Sequence, residues 1–179
     1  MKYLLMAVLC LPIFTKAQTI STIAGTGVWT CAGEGIPAIS AGIGQLQSIA
    51  VDTNGNVYIG SITCRQVKKI STSGIITTVV GTGTTGSSGD GGPAILATLG
   101  TPSALALDLP GNLYIADGEY NVIRKVTPSG IISTIAGDAT IVGGGYGGDG
   151  GPATLALLHS PEGLAIDTSG NIFISDRGN

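Results

Sequence analysis

The sequence predicts an all-β protein made of short antiparallel strands that recur in repeated units. Of its 179 residues, 30 are Gly, 11% are charged and 4% are aromatic, yet 43% are hydrophobic. The apolar residues are mostly Ile, Val, Leu and Ala, of which the β-branched ones favour strands, while Gly suits the tight turns between strands. The third observation is an internal repeat, which is typical of modular folds.

Two short motifs mark the repeat, an apolar one that ends in Gly and an apolar one that ends in Asp. The first motif occupies residues 20–25, 76–81 and 132–137. The second motif occupies residues 50–52, 106–108 and 165–167. The spacing is 56 residues, except that the last step of the second motif is 59. Three residues are therefore inserted in the Gly-rich loop between Gly137 and Gly148.

Each complete unit contains four short segments with strand character. In the second unit these segments are residues 103–108, 112–117, 122–127 and 131–136. Turn residues separate the first from the second segment and the third from the fourth. The first segment is small and apolar, which predicts an innermost strand that is buried on both faces. The third segment includes Arg124 and Lys125, which predicts a strand near the solvent-exposed rim.

Four antiparallel strands per repeat, at a period of roughly 40 to 50 residues, are typical of a β-propeller blade. A long loop between units explains the slightly longer period here. We expect an opening strand at residues 20–24, two complete blades and the first two strands of a third. Propellers have roughly four to eight blades, so this count predicts a chain that is incomplete at its C-terminus. The opening strand would then complete the last blade of the full ring; the alternative is a ring assembled from several short chains.

The N-terminus has the features of a signal peptide. Lys2 precedes an apolar run, and residues 15–17 end in a small residue, so we expect cleavage after Ala17. Leu9 before Cys10 does not fit a lipoprotein signal. The mature domain is then 18–179, with repeats at about 20–75, 76–131 and 132–179. We expect a secreted, periplasmic or cell-surface protein without a membrane span after cleavage.

Removal of the leader leaves six basic and eleven acidic side chains. A nucleic-acid-binding protein carries a basic surface that neutralises phosphates, and this composition does not provide one. We therefore do not expect a nucleic-acid partner.

The repeat motifs resemble those of NHL-repeat proteins, in particular the extracellular bacterial type whose blades look like the teneurin NHL propeller. The matching segments are residues 111–117, 123–126, 133–137, 148–154 and 160–167. The first repeat departs from the pattern, with Leu46 in place of Pro and Gly60-Ser61 in place of Ala-Asp. The resemblance implies a six-bladed ring with protein or glycan partners at the cell surface.

Blade topology places the loops between second and third strands on the same face as the long loops between blades. Variable loops on a rigid scaffold are a common place for binding sites. The candidates for a binding face are Asp117, Glu119, Tyr120, Asn121, Tyr146 and Asp176. The loops with Cys31 and Cys64 share this face too, so a disulfide between them is expected in an exported chain.

Two Gly-Asp-Gly-Gly-Pro loops suggest calcium, with Asp90 and Asp149 as the candidate ligands. Calcium needs roughly six to eight oxygen ligands and each loop offers one carboxylate, so capping of turn amides is the favoured interpretation. Capping is also expected for the hairpin residues Asp52, Asp108 and Asp167. We predict no other cofactor.

No catalytic residue is predicted. The Gly pattern at residues 81–86 lacks the following helix that a dinucleotide site requires, and His159 is the single histidine. The expected function is an exported binding or scaffold module for protein or glycan. The alternative is a propeller enzyme of the gluconolactonase or peptide-amidating-lyase type with a metal in the central channel, for which Glu162 is the one acidic candidate near a strand start.

Overall fold

A computed structural model of the protein describes residues 20–141 and 143–179. The predicted signal peptide lies outside the described residues. The strands are β1 Ile36–Pro37, β2 Leu46–Val51, β3 Val57–Ser61, β4 Gln66–Ile70, β5 Ile75–Val80, β6 Pro102–Leu107, β7 Leu113–Asp117, β8 Val122–Val126, β9 Ile132–Ala136, β10 Pro161–Ile166 and β11 Ile172–Asp176. Single-turn 3₁₀ helices occupy Ala38–Ser40, Ala94–Leu96 and Ala153–Leu155. None of the helices in the described ranges has the length and hydrophobicity that a membrane crossing requires.

The strands form two complete antiparallel blades and a two-stranded third sheet. Blade 1 contains β2 to β5 in sequential order, blade 2 contains β6 to β9, and β10 pairs with β11. The short strand β1 pairs with β5 at the outer edge of blade 1. The all-β fold class and the four-stranded blades predicted from the sequence are confirmed.

The hairpin between the first two strands of each sheet is stabilised by an Asp–Asn pair. In blade 2, the Asp108 carboxylate accepts hydrogen bonds from the backbone N–H and side-chain amide of Asn112, both at 2.7 Å. It also accepts the Tyr114 hydroxyl at 3.0 Å. Asp52 and Asp167 repeat the contacts with their own Asn residues. The predicted capping role of these three Asp residues is confirmed.

The first strand of each sheet lies next to the first strand of its neighbour, so β2, β6 and β10 surround a common axis. Two buried serine hydroxyls join them across the sheet boundaries. Ser48 Oγ donates to the Pro102 carbonyl at 2.7 Å, and Ser103 Oγ donates to the Pro161 carbonyl at 2.5 Å. These bonds fix the spacing of neighbouring sheets at the axis.

Apolar side chains from both sheets fill the space between blade 1 and blade 2. Val67 and Val80 of blade 1 pack with Leu105, Ile115 and other buried residues of blade 2. A smaller cluster around Ala116 and Ile123 joins blade 2 to the third sheet. Each blade therefore buries its apolar faces against its neighbours, which is how a propeller forms a core from single-layer sheets.

Two expectations require correction, and one stays a prediction. Residues 20–24 have no pairing partner among the described residues, so their place in the last blade of the ring stays a prediction. The 3₁₀ helices lie in loops and were not predicted, since one turn is too short to produce a periodic pattern. The basic residues of the third strands do not all face solvent: Lys68 is 3% exposed and Arg124 is fully buried. Their charges are paired with acidic residues, as described below.

Candidate functional site

The loop face consists of the β3–β4 and β7–β8 loops and the long loops that lead into each sheet. Its loops contact one another directly. Arg65 of the β3–β4 loop pairs with Glu119 of the β7–β8 loop, with 2.5 Å between Nη1 and Oε2. Thr85, in the loop that enters blade 2, lies 3.4 Å from the carboxylate of Glu119 and from the hydroxyl of Tyr120.

Asp117 lies beneath the loop face and is fully buried. Its carboxylate accepts the backbone N–H groups of Gly100 at 2.7 Å, Thr101 at 2.9 Å and Tyr120 at 3.3 Å. Burial raises the pKa of Asp117 above its ordinary value, although these three hydrogen bonds act in the opposite direction. Asp117 was a candidate for the binding face, but the structure uses its carboxylate to hold two loops together.

Asn121 is also buried and connects neighbouring sheets. It has a left-handed backbone conformation, with φ of 57°, and its Oδ1 accepts the Ser160 N–H of the third sheet at 2.8 Å. Arg65, one repeat earlier, has φ of 50° and donates to the Gly100 carbonyl of blade 2 at 3.1 Å. The same repeat position therefore reaches the next sheet in both blades, so Asn121 is a structural residue.

Asp176 repeats the role of Asp117 in the third sheet, since its Oδ1 accepts the His159 N–H at 2.8 Å. His159 lies in the loop before β10, as predicted. Of the remaining candidates, Glu119 and Tyr146 are exposed and Tyr120 is half-buried. The Tyr146 side chain is 76% exposed. Glu119 and Tyr146 are therefore the predicted residues that a partner can reach most readily.

A polar cavity of about 340 Å³ opens on the loop face beside the axis. It is lined by Gln47, Thr101, Ser103, Gly118, Glu119, Ser160 and Glu162. Glu162 pairs with Arg177 at 2.7 Å, as Glu119 pairs with Arg65, so both carboxylates are balanced by a guanidinium. The lining presents hydroxyl, amide and paired carboxylate groups, a set suited to an uncharged polar ligand. We refer to it as the axis cavity.

Asp90 does not cap its own turn, which corrects the favoured interpretation. Its Oδ1 pairs with Arg124 Nη2 at 2.6 Å, and its Oδ2 accepts the Thr134 N–H of β9 at 2.9 Å. Burial raises the pKa of Asp90, but the bonds to Thr134 and the positive charge of Arg124 outweigh it and lower the pKa below the ordinary value. A carboxylate engaged on both oxygens is poorly placed to hold calcium.

Glu34 performs the equivalent task in blade 1. Its carboxylate accepts the Thr78 N–H at 2.9 Å and lies 3.7 Å from Lys68 Nζ. In both blades the acid precedes its cation by 34 residues, so this pairing has a signal in the sequence. Asp149 takes the corresponding position in the third sheet, where its Oδ2 lies 3.4 Å from the Tyr146 hydroxyl. In the described ranges, no three His, Cys, Asp or Glu side chains form a group that could hold a metal.

Cys31 and Cys64 form a disulfide in the structure, with a Cα–Cα distance of 5.5 Å. It joins the loop that enters blade 1 to the β3–β4 loop. Sequence reasoning missed Trp29, which lies two residues before Cys31 and is 75% exposed. The available signal was that Trp29 is the only Trp in the chain and interrupts a repeat loop of small residues.

Comparison with known sequences identifies the repeat. Residues 83–144 match the family described as the teneurin NHL domain. Human teneurin-4 is 40% identical over 98 residues, which cover 48% of this chain and 4% of teneurin-4. Mouse teneurin-3 is 51% identical over 49 residues, which cover 27% of this chain and 2% of teneurin-3. The chain thus corresponds to a small part of these relatives.

Comparison with solved structures supports the fold. A Bacteroides thetaiotaomicron protein of unknown function matches with a TM-score of 0.61 at 24% identity, over 72% of this chain and 32% of that chain. A Bacteroides ovatus protein, described as an auxiliary nutrient binding protein, matches with a TM-score of 0.61 at 19% identity, over 78% of this chain and 36% of that chain. With the four-stranded blades, these similarities show that the chain has a β-propeller fold, and its repeat matches the teneurin NHL domain over residues 83–144.

Proposed function

We propose that this chain is part of an exported propeller that binds a protein or glycan partner through its loop face. The observation that carries the proposal is the axis cavity, with exposed Glu119 at its edge and exposed Tyr146 in a loop of the same face. The carboxylates of Asp117 and Asp176 hold the loops around it by accepting backbone N–H groups. Side chains held on a rigid scaffold lose little conformational entropy on binding, which favours recognition.

The side chains of the loop face favour binding over a metal-dependent reaction. Glu162, the acidic candidate for a metal site in the channel, pairs with Arg177. Exposed aromatic side chains such as Tyr146 combine an apolar ring with a polar group and are enriched in recognition surfaces. Export is part of the proposal and is supported by the leader sequence and by the disulfide, since disulfides persist in oxidising compartments.

The proposal is tested by screening the purified full-length protein against a glycan array and a panel of cell-surface proteins. For any partner found, Tyr146→Ala and Gln47→Ala should each weaken binding about tenfold, equivalent to about 1.4 kcal/mol. The matched control is Leu109→Ala, which removes a side chain that is 69% exposed on the opposite, hairpin face. Binding that is unaffected by the two loop-face variants, or an absence of any partner, would contradict the proposal.

A further inference from the structure

One face of blade 1 repeats the interface between blades 1 and 2 but has no partner sheet among the described residues. On β2, Ile49 is 64% exposed, whereas its counterpart Leu105 in blade 2 is 7% exposed. The apolar cluster beneath this face contains five buried residues, each 56 positions before a member of the interblade cluster. They are Ala38, Ala41, Ile59, Ile70 and Ile76, which correspond to Ala94, Ala97, Ile115, Val126 and Ile132. The face therefore has the composition of a surface that packs against another blade.

Residues 20–24 lie at this face in the position of a fourth strand. Ala24 packs against the blade 1 cluster, as the last residue of β5 packs into the interface with blade 2. The Gly25 N–H donates to the Ala38 carbonyl at 2.9 Å, and the corresponding bond after β5 measures 3.0 Å. Because β5 is the fourth strand of blade 1, residues 20–24 correspond to the fourth strand of a preceding blade.

The disulfide ties the loop that follows residues 20–24 to blade 1. Cys31 lies seven residues after Ala24, and it is bonded to Cys64 in the β3–β4 loop. The corresponding positions in blade 2 are Ser87 and Tyr120, which carry no covalent bond. Blade 2 follows a blade whose four strands are continuous in the chain. In a closed ring, residues 20–24 would join the other strands of their blade through backbone hydrogen bonds alone.

We propose that the Cys31–Cys64 disulfide stabilises the closing contact of the ring, in which residues 20–24 complete the last blade and that blade covers the exposed face of blade 1. This inference is independent of any ligand of the loop face. A strand held only by hydrogen bonds can open separately from the sheet beside it. With the disulfide intact, the strand is held against blade 1 and leaves the last blade only when blade 1 also separates from it. That separation exposes the apolar surface of a whole interface, which is far more costly.

The experiment measures hydrogen–deuterium exchange in the full-length protein, with and without the disulfide. In the oxidised wild type, the amides of residues 20–24 should exchange as slowly as those of β5. In Cys31→Ser/Cys64→Ser, exchange in residues 20–24 should accelerate at least about tenfold, whereas exchange in β6 to β9 should not change. If the double variant does not fold, the same comparison is made on the folded wild type after treatment with a reducing agent.

The matched control moves the bridge to blade 2. Ser87→Cys/Tyr120→Cys, added to the double variant, closes a loop with the same separation of 33 residues. Mass spectrometry verifies that this bridge forms. The moved bridge should raise the melting temperature above that of the double variant, because it also restricts the unfolded chain. It should leave exchange in residues 20–24 as fast as in the double variant, since it does not hold that strand.

Three results would overturn the inference. The first is fast exchange of residues 20–24 in the oxidised wild type, and the second is exchange that stays slow after the native disulfide is lost. The third is slow exchange restored by the moved bridge, which would show that any bridge of this length protects the strand through general stability. Light scattering adds a further check: protection of residues 20–24 only in a dimer would assign the face of blade 1 to a second copy and contradict closure within one ring.

Discussion

At the scale of single residues, the buried cations of the third strands are the least expected feature. Arg124 is fully buried, and its guanidinium donates to Asp90 at 2.6 Å and to the Ser88 carbonyl at 3.2 Å. Lys68 and Glu34 form the corresponding pair in blade 1. In blade 2 the shorter acid, Asp90, pairs with the longer cation, Arg124. In blade 1 the longer acid, Glu34, pairs with the shorter cation, Lys68. The summed length of the two side chains is therefore similar in both blades. These pairs tie the loop that enters each blade to its two outer strands.

Replacement of Arg124 by Met should lower the free energy of unfolding by about 2 to 4 kcal/mol, because it leaves Asp90 and the Ser88 carbonyl without their donor. Urea denaturation of the full-length protein measures this change. The control is Lys125→Met on the same strand, which removes a cation 5.5 Å from the Tyr114 ring. It should cost about 1 kcal/mol or less. Equal losses in the two variants would contradict a special role for Arg124.

The stability of the protein should also depend on pH through Asp90. Its pKa in the folded state lies below the ordinary value, because bonds to Thr134 and Arg124 outweigh the effect of burial. The stabilisation by ionised Asp90 is therefore complete above its unfolded-state pKa and is lost as the pH falls through the folded-state pKa. Urea midpoints measured from neutral pH to about pH 3 should fall less steeply for Asp90→Asn than for the wild type. Parallel curves would show that Asp90 does not titrate in this way.

At the scale of the strand, a glycine with a left-handed backbone stands at each end of β5. Gly81 follows β5 with φ of 96°, and an added Cβ would lie 2.5 Å from the Arg65 carbonyl oxygen. Gly74 precedes β5 with φ of 78° and has open space around it. The two positions share the backbone requirement but differ in their surroundings.

This difference gives a matched comparison of two Ala variants. Gly74→Ala should cost about 1 to 2 kcal/mol, since only the left-handed backbone is unfavourable. Gly81→Ala should cost clearly more, because the backbone of the β3–β4 loop must also shift. Thermal denaturation of both variants tests the order. A larger loss for Gly74→Ala would show that the contact with Arg65 is easily relieved.

At the scale of the whole molecule, the disulfide joins parts of blade 1 that are 33 residues apart. In the chain-entropy treatment, closing a loop of this length stabilises the folded state by about 3 to 4 kcal/mol. Reduction should therefore lower the melting temperature, and Cys31→Ser/Cys64→Ser should reproduce the loss. Alkylation without reductant should modify neither cysteine, as mass spectrometry would show. Modification of both thiols before reduction would disprove the bridge.

More of the fold than of the candidate site could be predicted from the sequence. The repeat, the four strands per blade and the Asp108 hairpin were predicted because they depend on residues close together in the chain. Among the candidate site residues, Asp117 and Asn121 were placed on the correct face but were expected to contact a partner. Their actual roles depend on Gly100 and Ser160, which lie 17 and 39 residues away from them in sequence.

The sequence by itself determined the strand count, the turns and the repeat, since local backbone preferences and alternating apolar residues are enough to specify them. Only the tertiary structure decided which charged groups are committed to the fold and which remain accessible. Arg65 meets Glu119, and Asn121 meets Ser160, only when neighbouring sheets pack around one axis. These contacts depend on how whole blades are placed relative to one another, and no local sequence pattern specifies that placement.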